Sequence, residues 1–212
     1  MPDLELVPEL VIVAGASGQH AAVVYEAAVL SGMRVAGFVT MKDEAPAELL
    51  DCPPLGPLEA CAISGRRFVV ACGDNALRRD LTARLEAKGA PFAAVVHPCA
   101  IVSPSARVAA GAVVLAGAII GPRAAIGAGA IVNHASVVDH DCTVDAFANI
   151  CPGVRLAGCV SVEAGAFVGL GAAVIPGLRI GREAVVGAGA VVIRDVAAGV
   201  TVAGVPAKVL RG

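Results

Sequence analysis

The chain has no tryptophan, one tyrosine and five phenylalanines, so aromatic residues make up only 3% of its 212 residues. That scarcity removes the stacking platforms on which single-stranded nucleic acid is held. An excess of one charge is also lacking: sixteen Lys and Arg face eighteen Asp and Glu, for a net charge of −2, and the basic residues are scattered. No basic face is expected, which argues against nucleic acid as a partner. The 57% hydrophobic content and mean hydropathy of +0.80 come from Ala and Val interrupted by glycine. No unbroken apolar run reaches about 18 residues, so no membrane span is read. Met1 to Val13 carries Asp3, Glu5 and Glu9 and lacks a basic start, so it does not read as a secretory leader and the expected setting is cytoplasmic. Seven cysteines without a CxxC pair argue for buried thiols rather than a disulfide framework.

What is present is a repeat. Every sixth residue from Val102 to Val192 is aliphatic, sixteen in succession, and four residues after each stands a small one such as Ala106, Ala112, Ala118, Ser136 or Cys142. No α-helix repeats every six residues. A stacked β-solenoid does, because each flat face needs one large inward residue, one small inward residue and a turn. Glycine and alanine between them permit the tight corners. Period six does not set the number of faces; three to a coil would make roughly five coils, each rising about 4.8 Å.

Before the repeat, Leu10 to Ala14 reads as a strand that runs into the turn Gly15-Ala16-Ser17-Gly18 and a helix over Ala21 to Leu30. Arg34 to Val39, Arg66 to Cys72 and Phe92 to Val96 read as further strands, Asn75 to Ala87 as a second helix and Lys42 to Leu58 as loop. This alternation predicts a small parallel sheet with helices. Ligands of open α/β sheets sit at the carboxyl ends of strands, so Gly15 to Gly18 and the second turn, Gly73-Asp74-Asn75, are candidates for one phosphate-binding crevice. The expected division is 1–96 for the α/β domain and 97–212 for the solenoid and its tail.

One stretch of the repeat is polar: Asn133-His134-Ala135-Ser136-Val137-Val138-Asp139-His140-Asp141-Cys142. His134 and His140, six residues apart, occupy equivalent positions on neighbouring faces of one coil. Gly158, eighteen residues beyond His140, stacks above it. A base beside a free backbone N–H suits acyl transfer, where one group takes a proton and the other holds the oxyanion. Asp139 and Asp141 flank His140, and either could hold one imidazole nitrogen and so fix the tautomer.

Val11 to Gly18, His97-Pro98, Ser103 to Ala106, Asn133 to Cys142 and Gly204-Val205-Pro206-Ala207-Lys208 together resemble a family of bacterial hexapeptide-repeat sugar acetyltransferases. That family groups sialic acid O-acetyltransferases with UDP-bacillosamine and GDP-perosamine N-acetyltransferases, and the resemblance covers nearly the whole chain. It implies a Rossmann-like domain for a nucleotide-linked sugar, a left-handed parallel β-helix, a homotrimer, and acetyl-CoA in the groove between neighbouring helices, with no metal. It further implies His140 as base with Asp141 raising its basicity, and His134 with the sugar substrate. Asn149, Gly158, Leu170 and Ala188 would contact acetyl-CoA, with Lys208 near its phosphates.

The family usually has histidine directly after the glycine turn, where this chain has Gln19 and then His20. Family members that use uridine nucleotides commonly place Asp-Asp after the second strand, where this chain has Thr40-Met41-Lys42, so GDP-perosamine stands slightly ahead of UDP-linked aminosugars. Two further readings come from other classes. A three-histidine metalloenzyme of the γ-carbonic anhydrase type finds no third ligand, because His20 and His97 lie outside the repeat. A non-catalytic trimeric scaffold explains the repeat but not the polar stretch around His140.

Overall fold

The computed structural model describes residues 9–14, 19–40 and 49–210. The turn Gly15-Ala16-Ser17-Gly18 lies outside the described residues, as does the stretch 41–48. The first part contains β1 (Glu9–Ala14), α1 (Gln19–Leu30), β2 (Val35–Thr40), β3 (Pro54–Pro57), β4 (Arg66–Ala71) and α2 (Asn75–Glu86). Its sheet runs β3-β2-β1-β4 and all its pairs are parallel. β1 is central, which is why it reads as an unbroken apolar run rather than an alternating one. Leu10 and Ile12 point to one side, where they meet Ala21, Val24 and Ala28 of α1, while Val11 and Val13 point to the other and meet Leu81 and Leu85 of α2. Alternate residues of a strand serve opposite faces, so one strand joins both layers.

Two expectations need correction. Pro54–Pro57, read as loop, is an edge strand on β2. Proline tolerates an edge because only one side of the strand must donate. The strand expected over Phe92 to Val96 is divided: Phe92 bridges Phe68 of β4, whereas Val95–Val96 pairs with Val113–Val114 and so begins the solenoid.

The solenoid consists of parallel two-residue strands, each bonded to the strand eighteen residues on, in sheets of five, six and eight strands. It is taller than five coils on one face because Val95–Val96 extends that face below and Thr201–Ala203 above, where the tail turns back as the antiparallel strand Lys208–Val209. The second residue of nearly every strand points inward, and those from Ile120 to Val192 are at most 2% exposed. The first residue points outward and gives each face its character. On the eight-stranded face Val113 and Ile131 are buried against α1 and β1. The five-stranded face is polar, with Arg107, Thr143, Ser161 and Arg179 outward. The six-stranded face is largely apolar and open: Ile101 is 65% exposed and Ile119 39%, and Val137, Ala173 and Val191 stand further up the column, broken once by the exposed Arg155 between Val137 and Ala173.

Arg78 of α2 fastens the two parts together. Its guanidinium is buried and donates to Gly129 O at 2.7 Å, Cys72 O at 2.8 Å, Asn75 Oδ1 at 2.8 Å and Phe147 O at 2.9 Å. Burial pulls its pKa down to about 10, so it remains a cation. Arg78→Met is expected to destabilise the protein by about 3 kcal/mol, because two solenoid carbonyls lose their donor in a dry seam. The shift of the guanidinium chloride midpoint measures this loss. Among the described residues no helix is long and apolar enough to cross a membrane.

Candidate active site

Each corner of the solenoid is a column of residues eighteen apart. The corner after the apolar face carries Pro104, Pro122, His140, Gly158 and Pro176 in one column. Proline has no N–H, so the coil does not require a donor at this register. At Gly158 the same register leaves an N–H with no acceptor among the described residues. One coil below, the column holds the exposed imidazole of His140. The chain therefore sets an unused backbone donor directly above a histidine. A Cβ built on Gly158 would lie 2.5 Å from His140 Cε1, so the ring sits in space that only glycine leaves open.

The next column runs Ser105, Arg123, Asp141, Cys159 and Gly177. Asp141 Oδ2 lies 2.8 Å from His140 Nδ1. A carboxylate only accepts, so Nδ1 carries the proton and Nε2 keeps its lone pair, on the side of Gly158. Asp139 does something else: its Oδ1 accepts from the His140 backbone N–H at 2.6 Å. The two flanking aspartates thus divide the work, one fixing the turn and the other the ring. Arg123, on the coil below, spans the Asp141 carboxylate with Nε at 2.6 Å from Oδ1 and Nη2 at 2.7 Å from Oδ2. The hydrogen bonds from Arg123, and then from His140, hold the Asp141 carboxyl well below the usual carboxylate range. It is an anion at neutral pH.

Arg123 carried no signal in the repeat beyond standing at a corner position. Cys159, expected among buried thiols, is exposed beside the ring. His140, Asp141 and Cys159 offer ligand atoms within 4.8 Å of one another, the one such group among the described residues. The guanidinium already neutralises the carboxylate, and a metal would have to displace it.

The other candidate residues fall into two places. At the seam, Asn149 is 5% exposed and its Nδ2 donates to Gly73 O at 3.1 Å, while Asn75 Nδ2 donates to Gly165 O at 2.8 Å. Asp74 caps α2 by accepting from Leu77 N at 2.7 Å. The Gly73 turn is therefore held on the solenoid by Asn149, a residue expected at acetyl-CoA. His134, Leu170 and Ala188 share a column at the corner before the apolar face, the opposite edge from His140 and Gly158. Leu170 is 58% exposed there. His134 faces α1, where burial, then Arg78 and His134, drive the His20 pKa down to about 4. Neutral His20 holds the one buried side-chain nitrogen or oxygen among the described residues that lacks a partner, its Nε2. Lys208 is exposed on the returning tail strand.

No family model matches the sequence. A curated relative, the 2,3,4,5-tetrahydropyridine-2,6-dicarboxylate N-acetyltransferase of Staphylococcus aureus, is 46% identical over 52 residues, and the match spans 24% of this chain and 22% of that protein. Solved structures match over the whole length. A histidine-to-asparagine mutant of the perosamine N-acetyltransferase of Caulobacter crescentus, in complex with CoA and GDP-perosamine, is 39% identical with a TM-score of 0.88, over 97% of this chain and 98% of that one. The acetyltransferase domain of PglB from Neisseria gonorrhoeae, in complex with acetyl coenzyme A, is 35% identical with a TM-score of 0.89, over 96% and 100%. WeeI from Acinetobacter baumannii is 26% identical with a TM-score of 0.82, over 95% and 100%. With the repeat, the histidine corner and these full-length likenesses taken together, the chain belongs to the hexapeptide-repeat sugar N-acetyltransferase family.

Proposed function

We propose that the protein transfers the acetyl group of acetyl-CoA to the 4-amino group of a nucleotide-linked 4-amino-4,6-dideoxyhexose, with GDP-perosamine ahead of a UDP-linked aminosugar. The observation that carries this reading is the His140 ring, held at Nδ1 by Asp141 and open at Nε2 beneath the unused Gly158 N–H. A sugar amine with a pKa of about 8, by analogy with an α-amino group, is largely protonated at neutral pH and needs to lose a proton to attack. His140 Nε2 takes it. The nitrogen adds to the thioester carbon, the Gly158 N–H receives the developing oxyanion, the C–S bond breaks as the imidazolium protonates the departing sulfur, and the surplus proton on the new amide nitrogen passes to water.

The nucleotide preference rests on Thr40, which ends β2 where a carboxylate would otherwise accept from a uracil ring. In this reading the chain divides into a Rossmann-like domain, 1–96, and a left-handed β-helix with its tail, 97–212. Gly15 to Gly18 and the Gly73 turn receive the pyrophosphate, His134 lies toward the sugar, and Lys208 lies toward the CoA phosphates. Asn149, Gly158, Leu170 and Ala188 line the acetyl-CoA site.

A homotrimer belongs to the same proposal. Gly158 lies on one edge of the apolar face and Leu170 and Ala188 lie on the other, so a single chain offers acetyl-CoA only separated halves of a site. Packing the open Ile101 and Ile119 face against a second copy brings opposite edges together and removes that apolar surface from water. The cytoplasm as compartment belongs to the same proposal.

The test is CoA thiol release with GDP- and UDP-linked 4-aminosugars and with sialic acid, on protein whose mass is read by light scattering. Release with a GDP-linked 4-aminosugar from a trimer is the expected result. Release only with sialic acid would make the protein an O-acetyltransferase, and release with no acceptor would favour a scaffold. A monomer that is active would remove the shared groove.

A further inference from the structure

Arg123 belongs to neither the repeat's core nor any expected contact, and its side chain is 66% exposed. Exposed ion pairs of this kind contribute little to stability. Its geometry is nevertheless more constrained than stability needs. Both carboxylate oxygens of Asp141 are taken in a two-pronged grip, and one of them, Oδ2, also receives His140 Nδ1. A planar guanidinium that bonds both oxygens fixes the plane of the carboxylate, which a single contact does not.

The backbone points the same way. Corner residues with positive φ are mostly glycine, as at Gly111, Gly129, Gly153 and Gly177. Arg123 (φ 60°), Asp141 (φ 58°) and Cys159 (φ 62°) adopt that conformation in three successive coils of one column, although side chains disfavour it. Ala135, Phe147 and Glu183 adopt it singly at other corners, but among the described residues only this column carries side chains there in three successive coils, and it does so beside His140. Arg123 N donates to Ser105 Oγ at 3.1 Å and Asp141 N to Pro122 O at 2.9 Å, so each coil seats the next. Three coils contribute one residue group each: Arg123 below, His140 with Asp141 in the middle, and Gly158 above.

We infer that Arg123 is a positioning residue for the acyl transfer, locking the Asp141 carboxylate so that it aims the His140 ring at the acceptor amine beneath the Gly158 N–H. The inference rests on the function proposed above. Arg123 touches neither substrate nor the reacting atoms; it acts through Asp141. It has a second effect by charge. The groups facing the imidazole are Asp141 and Asp139 on its own turn, Arg123 from the coil below and Cys159 from the coil above. Of these only Arg123 is a permanent cation, and it offsets part of the carboxylate field at the ring. Removing it strengthens the net negative field, which favours the proton on the imidazole, so the base is freed only at higher pH.

The experiment uses the full-length enzyme, its Arg123→Met and Arg123→Lys variants, and His140→Asn in parallel, with kcat and both KM values followed across neutral pH and melting temperature recorded. Arg123→Met is expected to lower kcat roughly tenfold, the low end of the cost of losing an outer partner of a functional histidine, with the KM values little changed. The acid limb of its kcat/KM profile moves to higher pH. Arg123→Lys restores the position of that limb, because the charge is back, but recovers kcat only in part, because an ammonium cannot hold both oxygens. Melting stays near that of the unmodified enzyme.

An Arg123→Met variant with unchanged kcat and an unmoved limb overturns the inference. So does a loss of kcat that tracks a fall in melting temperature with the limb in place. If His140→Asn collapses while Arg123→Met does not, the function stands and only the role of Arg123 falls. If His140→Asn remains fully active, both fall.

Discussion

His140→Asn is expected to cut thiol release by a factor of roughly 10²–10⁴, the usual worth of a positioned general base. Asparagine is smaller but keeps a polar tip near the place of Nδ1, and the half-exposed site gives the corner no reason to move. His140 is half exposed, and its ring is held by Asp141 rather than by packing. Asparagine has no nitrogen that accepts a proton near neutral pH, so the sugar amine must enter the site already deprotonated. The residual rate should therefore rise with pH as the free amine becomes available. The KM for acetyl-CoA should change little, because a group that works on the proton contributes to the transition state more than to the bound ground state. Steady-state thiol release against pH measures all three features. A variant that keeps more than about a tenth of the rate at neutral pH would show that the base lies elsewhere.

Gly158→Ala should be nearly as damaging, for a different reason. The added Cβ would lie 2.5 Å from Cε1 of His140, closer than side-chain carbons approach one another, and a tight 3.1 Å from Cδ2. The solenoid backbone at Gly158 is bonded to its neighbours, since Gly177 N donates to Gly158 O at 3.0 Å and Cys159 N to His140 O at 2.9 Å. It does not yield. The imidazole, half exposed, swings out instead and loses both its Asp141 contact and its aim. The methyl group also crowds the N–H that receives the oxyanion. A loss of roughly 10²–10³ in kcat is expected, the scale for removing one oxyanion donor. Melting should be nearly unchanged, because the strain is released by a surface side chain. A Gly158→Ala enzyme of normal kcat would mean that the thioester oxygen does not sit under this N–H.

How much of this site was legible before any fold was known depends on the distance over which each contact reaches. Asp141 is adjacent to His140, and the flanking pair of aspartates already narrowed the partner to two; only the turn geometry chose between them, giving the backbone N–H to Asp139 and the ring to Asp141. Gly158 was legible because a constant coil length turns sequence distance into spatial order. Arg123 obeys the same arithmetic, eighteen residues before Asp141, yet an arginine at a corner reads as a solvated charge until the carboxylate is seen between its nitrogens. Asn149 was expected at acetyl-CoA, and its amide is also bonded across the seam to Gly73. No periodicity reports that bond. β3 was hidden because two prolines in four residues are a poor strand signal, and the sheet tolerates them only where the strand is an edge.

The sequence by itself determined the solenoid, β1, β2, β4, α1 and α2 before it, and the pairing of His140 with Gly158. Each of these is written locally, as one large and one small inward residue per face, as an apolar run before a glycine turn, or as a fixed coil length that stacks position on position. Only the tertiary structure decided which face of the solenoid α1 covers, which is left apolar and open, and how Arg78, Asn75 and Asn149 stitch the Gly73 turn to the coils. It also decided that His134 lies on the opposite edge of that open face from His140. Those features depend on how two separately patterned bodies meet. Docking is settled by shape and by buried hydrogen bonds between residues up to 91 positions apart, and no local period carries that information.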